Sequence, residues 1–444
     1  MESVVVTEGD TQVVSGVGLH TLGELADQLG LSSTYSAAVA WTGERAPGQD
    51  RGRLLAQVAV MLAGGGSCVA DMAALRDQPE LFGDVASPAT IWRTIDGIDA
   101  PTLDRLRSAR AEARSRAWAD AEVPPEVILD VDAALVEIHS ANKESAASHY
   151  KGGYGFHPLF CFADHSGEAL AAMLRPGNAA ANSGADQLAV VDAAIASLPE
   201  PHRRGHRVGD DAGLIQHPIL VRADSAGAVG GFIAGLVERN VEFSVYARTN
   251  AQLSAAIAAV EAGAWARARR EDGEARHAGE VAELDVKPTG WPEGTRAICR
   301  RERPHPGAQL GLWDADGWRH QVTLTNSTGD ALALELRQRR HARVENAIKD
   351  LRDTGLDRMP FTSFAANCAW LELVATAADL LAWLRAGLGP ELARATPKAL
   401  RYRILHVAGR LVRHGRRLVL RLPAYWPWAC ELAAVYRRLG RLTT

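Results

Sequence analysis

The stretch Pro124-Pro125-Glu126-Val127-Ile128-Leu129-Asp130-Val131-Asp132 decides how this chain is read. Two prolines end whatever helix precedes them, because proline lacks the N–H that a helix interior needs and drives its neighbour into extended backbone. Val, Ile and Leu in a short run bounded by turn formers then read as a buried strand. The run climbs into two acids. A carboxylate is costly to bury unless it is paired, hydrogen-bonded or bound to a metal, so Asp130 and Asp132 either cap and solvate the strand end or belong to a site. Side chains alternate along a strand, so both acids point to one face and the pattern does not choose between them.

Upstream, the chain reads as helical. Thr21 with Glu24 three residues later looks like a helix start, and Gly30 fits the residue just past its end. Residues 54–62 form a more buried helix stopped by Gly64-Gly65-Gly66. Ser87-Pro88 opens a short capped helix that buries Ile91 and Ile95 and turns Thr90, Arg93 and Thr94 outward, the arrangement a helix-turn-helix reader offers a major groove. Many short helices share that pattern. Residues 105–116 form a charged, Ala-rich helix leading to the prolines.

Downstream the period changes. Strands are predicted at 127–132, 154–162 and 168–174, joined by short turns into an antiparallel meander. A helix at 185–197, a strand at 219–224 again ending in an acid, a helix at 230–239 and a strand at 241–246 follow. That order predicts an α/β fold with a mixed five-stranded sheet. Residues 251–330 are looser, with Gly/Pro-rich turns and strand candidates at 296–300 and 321–325, and read as a β-rich insertion. Helices resume at 330–352, 364–384 and 397–412. The expected domains are a helical N-terminal DNA-binding domain at 1–120, two parts of a catalytic domain at 121–250 and 331–390 flanking the insertion at 251–330, and a basic helical region at 391–444.

Composition sets outer bounds. The 444 residues allow two or three domains with a real core, and 47% hydrophobic with 23% charged residues is ordinary for a globular protein. The five cysteines form no CxxC pair, which argues against a zinc ribbon and fits a reducing compartment. The most apolar stretch contains Glu372 and Asp379 and reads as a buried helix, not a membrane span. The N-terminus lacks the basic segment of a signal peptide, so a cytoplasmic location is expected. Net charge is -4, yet between Lys398 and Arg441 eleven basic residues face a single acid, Glu431, which suggests a polyanionic partner or a solvated helical face. No GxSxG, Walker A loop or HExxH is present. His157 and His217 each precede a proline and read as structural. Trp291, Trp313 and Trp318 fit the core of a small β domain better than a stack for a flipped base.

Acids at matching ends of two strands, Asp132 and Asp224, lie side by side if one helical excursion separates the strands. A third acid, Glu345, sits on a helix with His341 and Lys349 one turn to either side and Arg352 two turns on. Intrahelical ion pairs would account for that spacing. So would an acid that holds a metal among cations that hold phosphates. Asp132-Ala-Ala-Leu-Val136, Lys151-Gly-Gly-Tyr-Gly-Phe-His-Pro-Leu159, Leu174-Arg-Pro-Gly-Asn178, Val221-Arg-Ala-Asp-Ser-Ala-Gly227, the Glu345 helix and Leu75-Arg-Asp-Gln-Pro-Glu-Leu-Phe82 together resemble the DDE transposases of bacterial insertion sequences, closest to the insertion-sequence thirteen-eighty family.

The resemblance implies a ribonuclease H-like catalytic domain in which Asp132, Asp224 and Glu345 form the catalytic, metal-binding triad, leaving Asp130 as a neighbour. It implies two Mg²⁺ ions, replaceable by Mn²⁺, and cut-and-paste cleavage and joining of double-stranded DNA at terminal inverted repeats and target. It also implies a homodimer, no membrane, and a nucleoid-associated protein in the cytoplasm. Where related enzymes place Tyr, Arg, Glu and Lys on the last catalytic helix, this chain has Gln338, His341, Glu345 and Arg352, and Ala134 stands where Thr or Ser is usual. Arg340, Arg343 and Lys349 are then further candidates for DNA contact, with His341, Arg352 and, on the short capped helix, Arg93. A catalytically inactive end-binding protein and a metal-dependent nuclease without strand transfer are the alternatives.

Overall fold

The computed structural model describes residues 13–40, 48–119, 124–140, 142–304, 307, 317–415 and 417–440. It forms two units: Met1–Ala113 with Asp350–Phe361 and Ala369–Thr444, and Arg114–Lys349 with Thr362–Cys368. The first begins with helices α1 (Val17–Gln28), α2 (Leu31–Ala38), α3 (Arg51–Ala63) and α4 (Pro88–Asp96), then α5 (Ala100–Ala119), whose last residues belong to the second unit. Helix α1 starts a turn earlier than Thr21 suggests. Thr21 is buried within it, its hydroxyl bonded to the Gly18 carbonyl at 2.5 Å. Gly30 ends α1 in the left-handed region, φ 70°, where a side chain would be strained. Ser87 caps α4 as expected and Ile91 and Ile95 are fully buried, but Thr94 is buried too, and Trp92 faces outward beside Arg93.

The second unit is built on a nine-stranded mixed sheet. Its strands are β1 (Val127–Ala133), β2 (Leu159–Ala163), β3 (Ala169–Met173), β4 (Ile219–Ala223), β5 (Glu242–Tyr246), β6 (Ala266–Arg269), β7 (Ala275–Leu284), β8 (Arg296–Glu302) and β9 (Arg319–Thr325), in the order β6-β7-β8-β9-β5-β4-β1-β2-β3. The five expected strands are contiguous in it, with β1 central, β2 and β3 antiparallel on one side and β4 and β5 parallel on the other. The sheet is wider than the sequence predicts because β9 pairs antiparallel with β5, so the 266–325 strands extend the same sheet from its edge. Edge pairing of this kind satisfies backbone donors that β5 would otherwise expose.

The expected strand at 154–162 is broken. Tyr154–Phe156 pairs with Val136–Glu137 and Ala147–Ser148 in a separate small sheet, and Leu159 opens β2 after His157-Pro158, where proline cannot donate to a ladder. His157 itself is buried, its Nδ1 3.0 Å from the Ala179 carbonyl. Helices α6 (Gly184–Ala196), α7 (Gly230–Val237) and α8 (Ala251–Ala258) follow; side chains of all three join the core formed by Val127, Leu129, Val131, Val221 and Phe243. Trp291 packs against that core and approaches Phe243 at 5.9 Å between rings, whereas Trp318 stacks with Arg301 at 4.6 Å and Arg303 at 4.1 Å. Trp313 lies outside the described residues.

The long helix expected at 330–352 is interrupted. Helix α9 (Ala331–Arg339) passes through a 3₁₀ turn at Arg340–Arg343 into α10 (Val344–Asp353). Helix α11 (Phe364–Arg385) is long and apolar enough to cross a membrane by length and composition, but 83% of its most apolar window is buried inside the protein. Within the first unit it presents Glu372 and Asp379 to the buried Arg110 of α5, at 2.6 and 2.7 Å. The helix expected at 397–412 ends early. Residues 409–421 form a hairpin of β10 (Gly409–His414) and β11 (Arg417–Arg421), in which Leu411 pairs with Leu420 and Val412 with Val419, and Gly415 supplies the left-handed turn, φ 60°.

Candidate active site

Strand register creates the site. β1 and β4 run parallel with Asp130 opposite Arg222 and Val131 opposite Ala223, so the next step sets Asp132 beside Asp224 where both strands end. Asp224 is exposed and caps a 3₁₀ turn, its Oδ1 accepting from the Ala226 N–H at 2.8 Å. Asp132 is half-buried and accepts from the Ala133 N–H at 2.7 Å. The third acid, Glu345, is exposed in the first turn of α10.

These three acids sense one another. Burial first, and then the charges of Asp224 and Glu345, push the Asp132 carboxyl up to about 6, against the opposing pull of the Ala133 N–H and His341. A carboxyl in a partly dry site beside two like charges holds its proton more tightly, and a cation placed among them would relieve the repulsion. Among the described residues no three His, Cys, Asp or Glu side chains stand close enough together to hold a metal ion as they are placed. The donor set nonetheless has the right chemistry: three carboxylates and no soft ligand suit a hard cation such as Mg²⁺.

A buried ionic frame supports the acids from below. Arg222 is fully buried and donates from Nε and Nη2 to the two oxygens of Asp130 at 2.8 and 2.6 Å, from Nη2 to Asp164 at 2.7 Å, and from Nη1 to the Arg337 carbonyl of α9 at 2.6 Å. His341 in the 3₁₀ turn places Nδ1 2.7 Å from Asp130 Oδ1. An ionised carboxylate only accepts, so Nδ1 carries the proton. Burial opposes ionisation of Asp130, but the hydrogen bonds from His341 and Arg222 prevail and hold it below the usual carboxylate range. Gln338 is also buried and donates to the Ala223 carbonyl at 3.0 Å, tying α9 to the strand end that carries Asp224.

The expected phosphate ligands fall in different places. His341 is buried against Asp130 instead of facing solvent. Arg340 and Arg343 converge on Glu271, at 3.6 and 2.6 Å, and Lys349 is exposed on α10. Arg352 ion-pairs with Asp357, and Arg93 lies exposed on α4 with its Nε on the Ala89 carbonyl at 3.1 Å. The sequence reading missed Arg222 and Asp164. A lone Arg in the apolar run Ile219-Leu220-Val221-Arg222 was the available signal, because a buried cation requires a buried anion.

A mixed sheet with Asp132 and Asp224 at neighbouring strand ends gives this unit a pair of adjoining carboxylates, and oxygen donors of that kind suit hard divalent cations. The chain belongs to the transposase DDE domain group 1 family, whose model matches residues 1–444. No curated protein matches it. Among solved structures it is similar to a piggyBac transposase, determined by cryo-EM as a synaptic complex with hairpin DNA, at 11% identity and a TM-score of 0.37, covering 82% of this chain and 74% of that one.

Proposed function

We propose that the chain is a DNA transposase of the insertion-sequence thirteen-eighty type, which binds the terminal inverted repeats of its element and cuts and joins DNA strands at Asp132, Asp224 and Glu345. The observation that carries this reading is the register of two parallel strands, which sets Asp132 beside Asp224 at their ends, in a chain whose family model spans residues 1–444. The strand order β3-β2-β1-β4-β5, which makes up one end of the sheet, supports the ribonuclease H-like assignment.

Asp132, Asp224 and Glu345 would hold two Mg²⁺ ions, replaceable by Mn²⁺. When bound, such ions activate a water or 3′-hydroxyl and stabilise the departing oxygen of the phosphodiester. The residues of the chain do the rest. Asp130, Arg222 and His341 fix β1 and the turn before Glu345 in one frame, so the carboxylates are presented from rigid backbone. The Asp132 carboxyl, pushed up to about 6 by burial and by the charges of Asp224 and Glu345, would have to be ionised to serve as a ligand. Arg340, Arg343 and Lys349 face phosphates along the same helical segment, with Arg93 and Arg352 as further contacts. The working form is a homodimer in the bacterial cytoplasm, on the nucleoid.

Incubating the protein with Mg²⁺ and a plasmid carrying both element ends tests the proposal. Wild type should cut at the ends and join the freed 3′ ends to a target plasmid. Asp132→Ala, Asp224→Ala and Glu345→Ala should each retain the gel shift and lose cleavage. Full cleavage by any of these variants removes that residue from the triad. A shift without cleavage in wild type points to an inactive end-binder, and cleavage without joining to a nuclease.

A further inference from the structure

Beside the Glu345 end of α10 lies a cavity of about 620 Å³ walled by the β6–β7 hairpin on one side and by α9, the 3₁₀ turn and the start of α10 on the other. Five arginines line it, Arg270, Arg276, Arg339, Arg340 and Arg343, with Glu271 as the acid among its lining residues. Glu271 bridges two of the five. Its Oε1 lies 2.6 Å from Arg343 Nη2 and 3.6 Å from Arg340 Nε, and that buried Arg340 nitrogen has no hydrogen-bond partner. One carboxylate oxygen therefore serves two guanidinium groups and satisfies one.

Two of the five arginines have acids of their own, Arg276 at 2.6 Å from Glu302 and Arg339 at 3.7 Å from Glu335, which leaves Arg270, Arg340 and Arg343 around Glu271. Burial first, and then the neighbouring Arg276 and Arg300, hold Arg339 below its usual value in spite of Glu335 and Glu302. Hydrogen bonding to Arg343 and the charges of Arg343, Arg340 and Arg339 lower the Glu271 carboxyl. Arg270, exposed beside Glu271 on the hairpin, has no carboxylate partner among the described residues. Guanidinium forks of this density match the two non-bridging oxygens of a phosphodiester, which can bond two arginines at once. Asn346, the residue after Glu345, lines the same cavity, which places the cavity at the first turn of α10.

We infer that this five-arginine cavity is a seat for the phosphodiester backbone of duplex DNA, and that Glu271 occupies it as an internal stand-in for a phosphate until DNA displaces it. The inference rests on the transposase reading and assigns Arg270, Arg276, Arg339 and the 270–274 hairpin turn to its DNA-binding surface. Glu271 is thus a built-in competitor, and removing its charge should strengthen DNA binding.

Fluorescence anisotropy of the full chain with a labelled duplex of about 20 base pairs, without divalent cation and across a salt series, reads both effects. Glu271→Gln should tighten binding by about threefold to tenfold, since two arginines gain a phosphate in place of an internal acid. Arg270→Gln should weaken it by a similar factor and reduce the slope of log affinity against log salt by about 1. Both sites are exposed turn positions, and circular dichroism checks that the fold is kept. Unchanged affinity and slope in both variants, with wild type still cutting element ends, overturns the inference and leaves the transposase reading standing. Binding of inorganic pyrophosphate that Glu271→Gln strengthens and duplex DNA does not displace assigns the cavity to small anions and also overturns it. Absence of any duplex binding by wild type defeats both.

Discussion

Asp130 and Asp132 lie two residues apart on one strand and are driven in opposite directions: Arg222 and His341 keep Asp130 ionised, while burial and the charges of Asp224 and Glu345 push Asp132 up to about 6. The first acid joins the framework, and the second sits where its surroundings disfavour its charge. This division assigns roles that side-chain alternation alone leaves equal.

For Asp132 the folded-state value lies above the ordinary 3.8, so the native protein binds an extra proton between 3.8 and about 6, and this group's contribution to stability falls as pH rises through that window. Asp132→Asn should therefore be more stable than wild type at pH 7 by up to about 3 kcal/mol, a gain that disappears near pH 4. Urea unfolding at a series of pH values checks it, and a pH-independent difference would sink the idea. Mg²⁺ should raise the wild-type midpoint and have little effect on the variant.

Asp130 behaves in the reverse sense. Its depressed value contributes stability that is present above the ordinary carboxylate range and lost as pH falls through its folded value. Replacing its partner, Arg222→Met, leaves a buried carboxylate without its guanidinium and should cost about 3–5 kcal/mol at pH 7. The Asp130→Asn/Arg222→Met double variant should recover part of that loss, as the double-mutant cycle would show. A single-variant loss below about 1 kcal/mol would mean that the pair is not a structural support.

Arg110 should matter comparably in the other unit. Glu372 and Asp379 on α11 are buried and share this one guanidinium, so Arg110→Met is expected to destabilise by about 3–5 kcal/mol. Thermal unfolding would show it as a large drop in midpoint. An unchanged midpoint would show that other groups neutralise the two acids.

Gly52 of α3 meets α2 with no room for a side chain: an added Cβ would stand 2.0 Å from the Ser36 nitrogen. Gly52→Ala must part the two helices and should cost about 1–3 kcal/mol, although alanine is the better helix former. Chemical denaturation of the purified variant decides, and a neutral result would show that the helices separate freely.

Much of the sheet around β1 is legible in the sequence, because β1, β4 and β5 are short apolar runs bounded by turn signals and alternate residues of each, such as Val127, Leu129 and Val131, enter one core. The acids are legible through the family motifs, which select Asp132 where alternation leaves Asp130 equal. Other features depend on tertiary contacts. Within 266–325 the sequence offers strand candidates only at 296–300 and 321–325, and it does not reveal that β9 joins the sheet by pairing with β5, about 75 residues earlier, because that pairing is non-local. The helix through Glu345 reads as unbroken because Arg337-Gln338-Arg339-Arg340-His341 is locally compatible with helix; the 3₁₀ turn coincides with His341 turning in to Asp130. The tail reads as helical because its strands show no alternation of apolar and polar residues; the hairpin depends on cross-strand pairs such as Leu411 with Leu420 and Val412 with Val419, set around Gly415.

The edge pairing of β9 on β5 has a mechanical consequence. From Asp132 on β1 to the 270–274 turn, every step crosses a hydrogen-bonded ladder: β1 to β4, β5, β9, β8, β7 and β6. The turn that carries Glu271 cannot swing away from the carboxylates without breaking a ladder, so the two points are held like marks on a ruler.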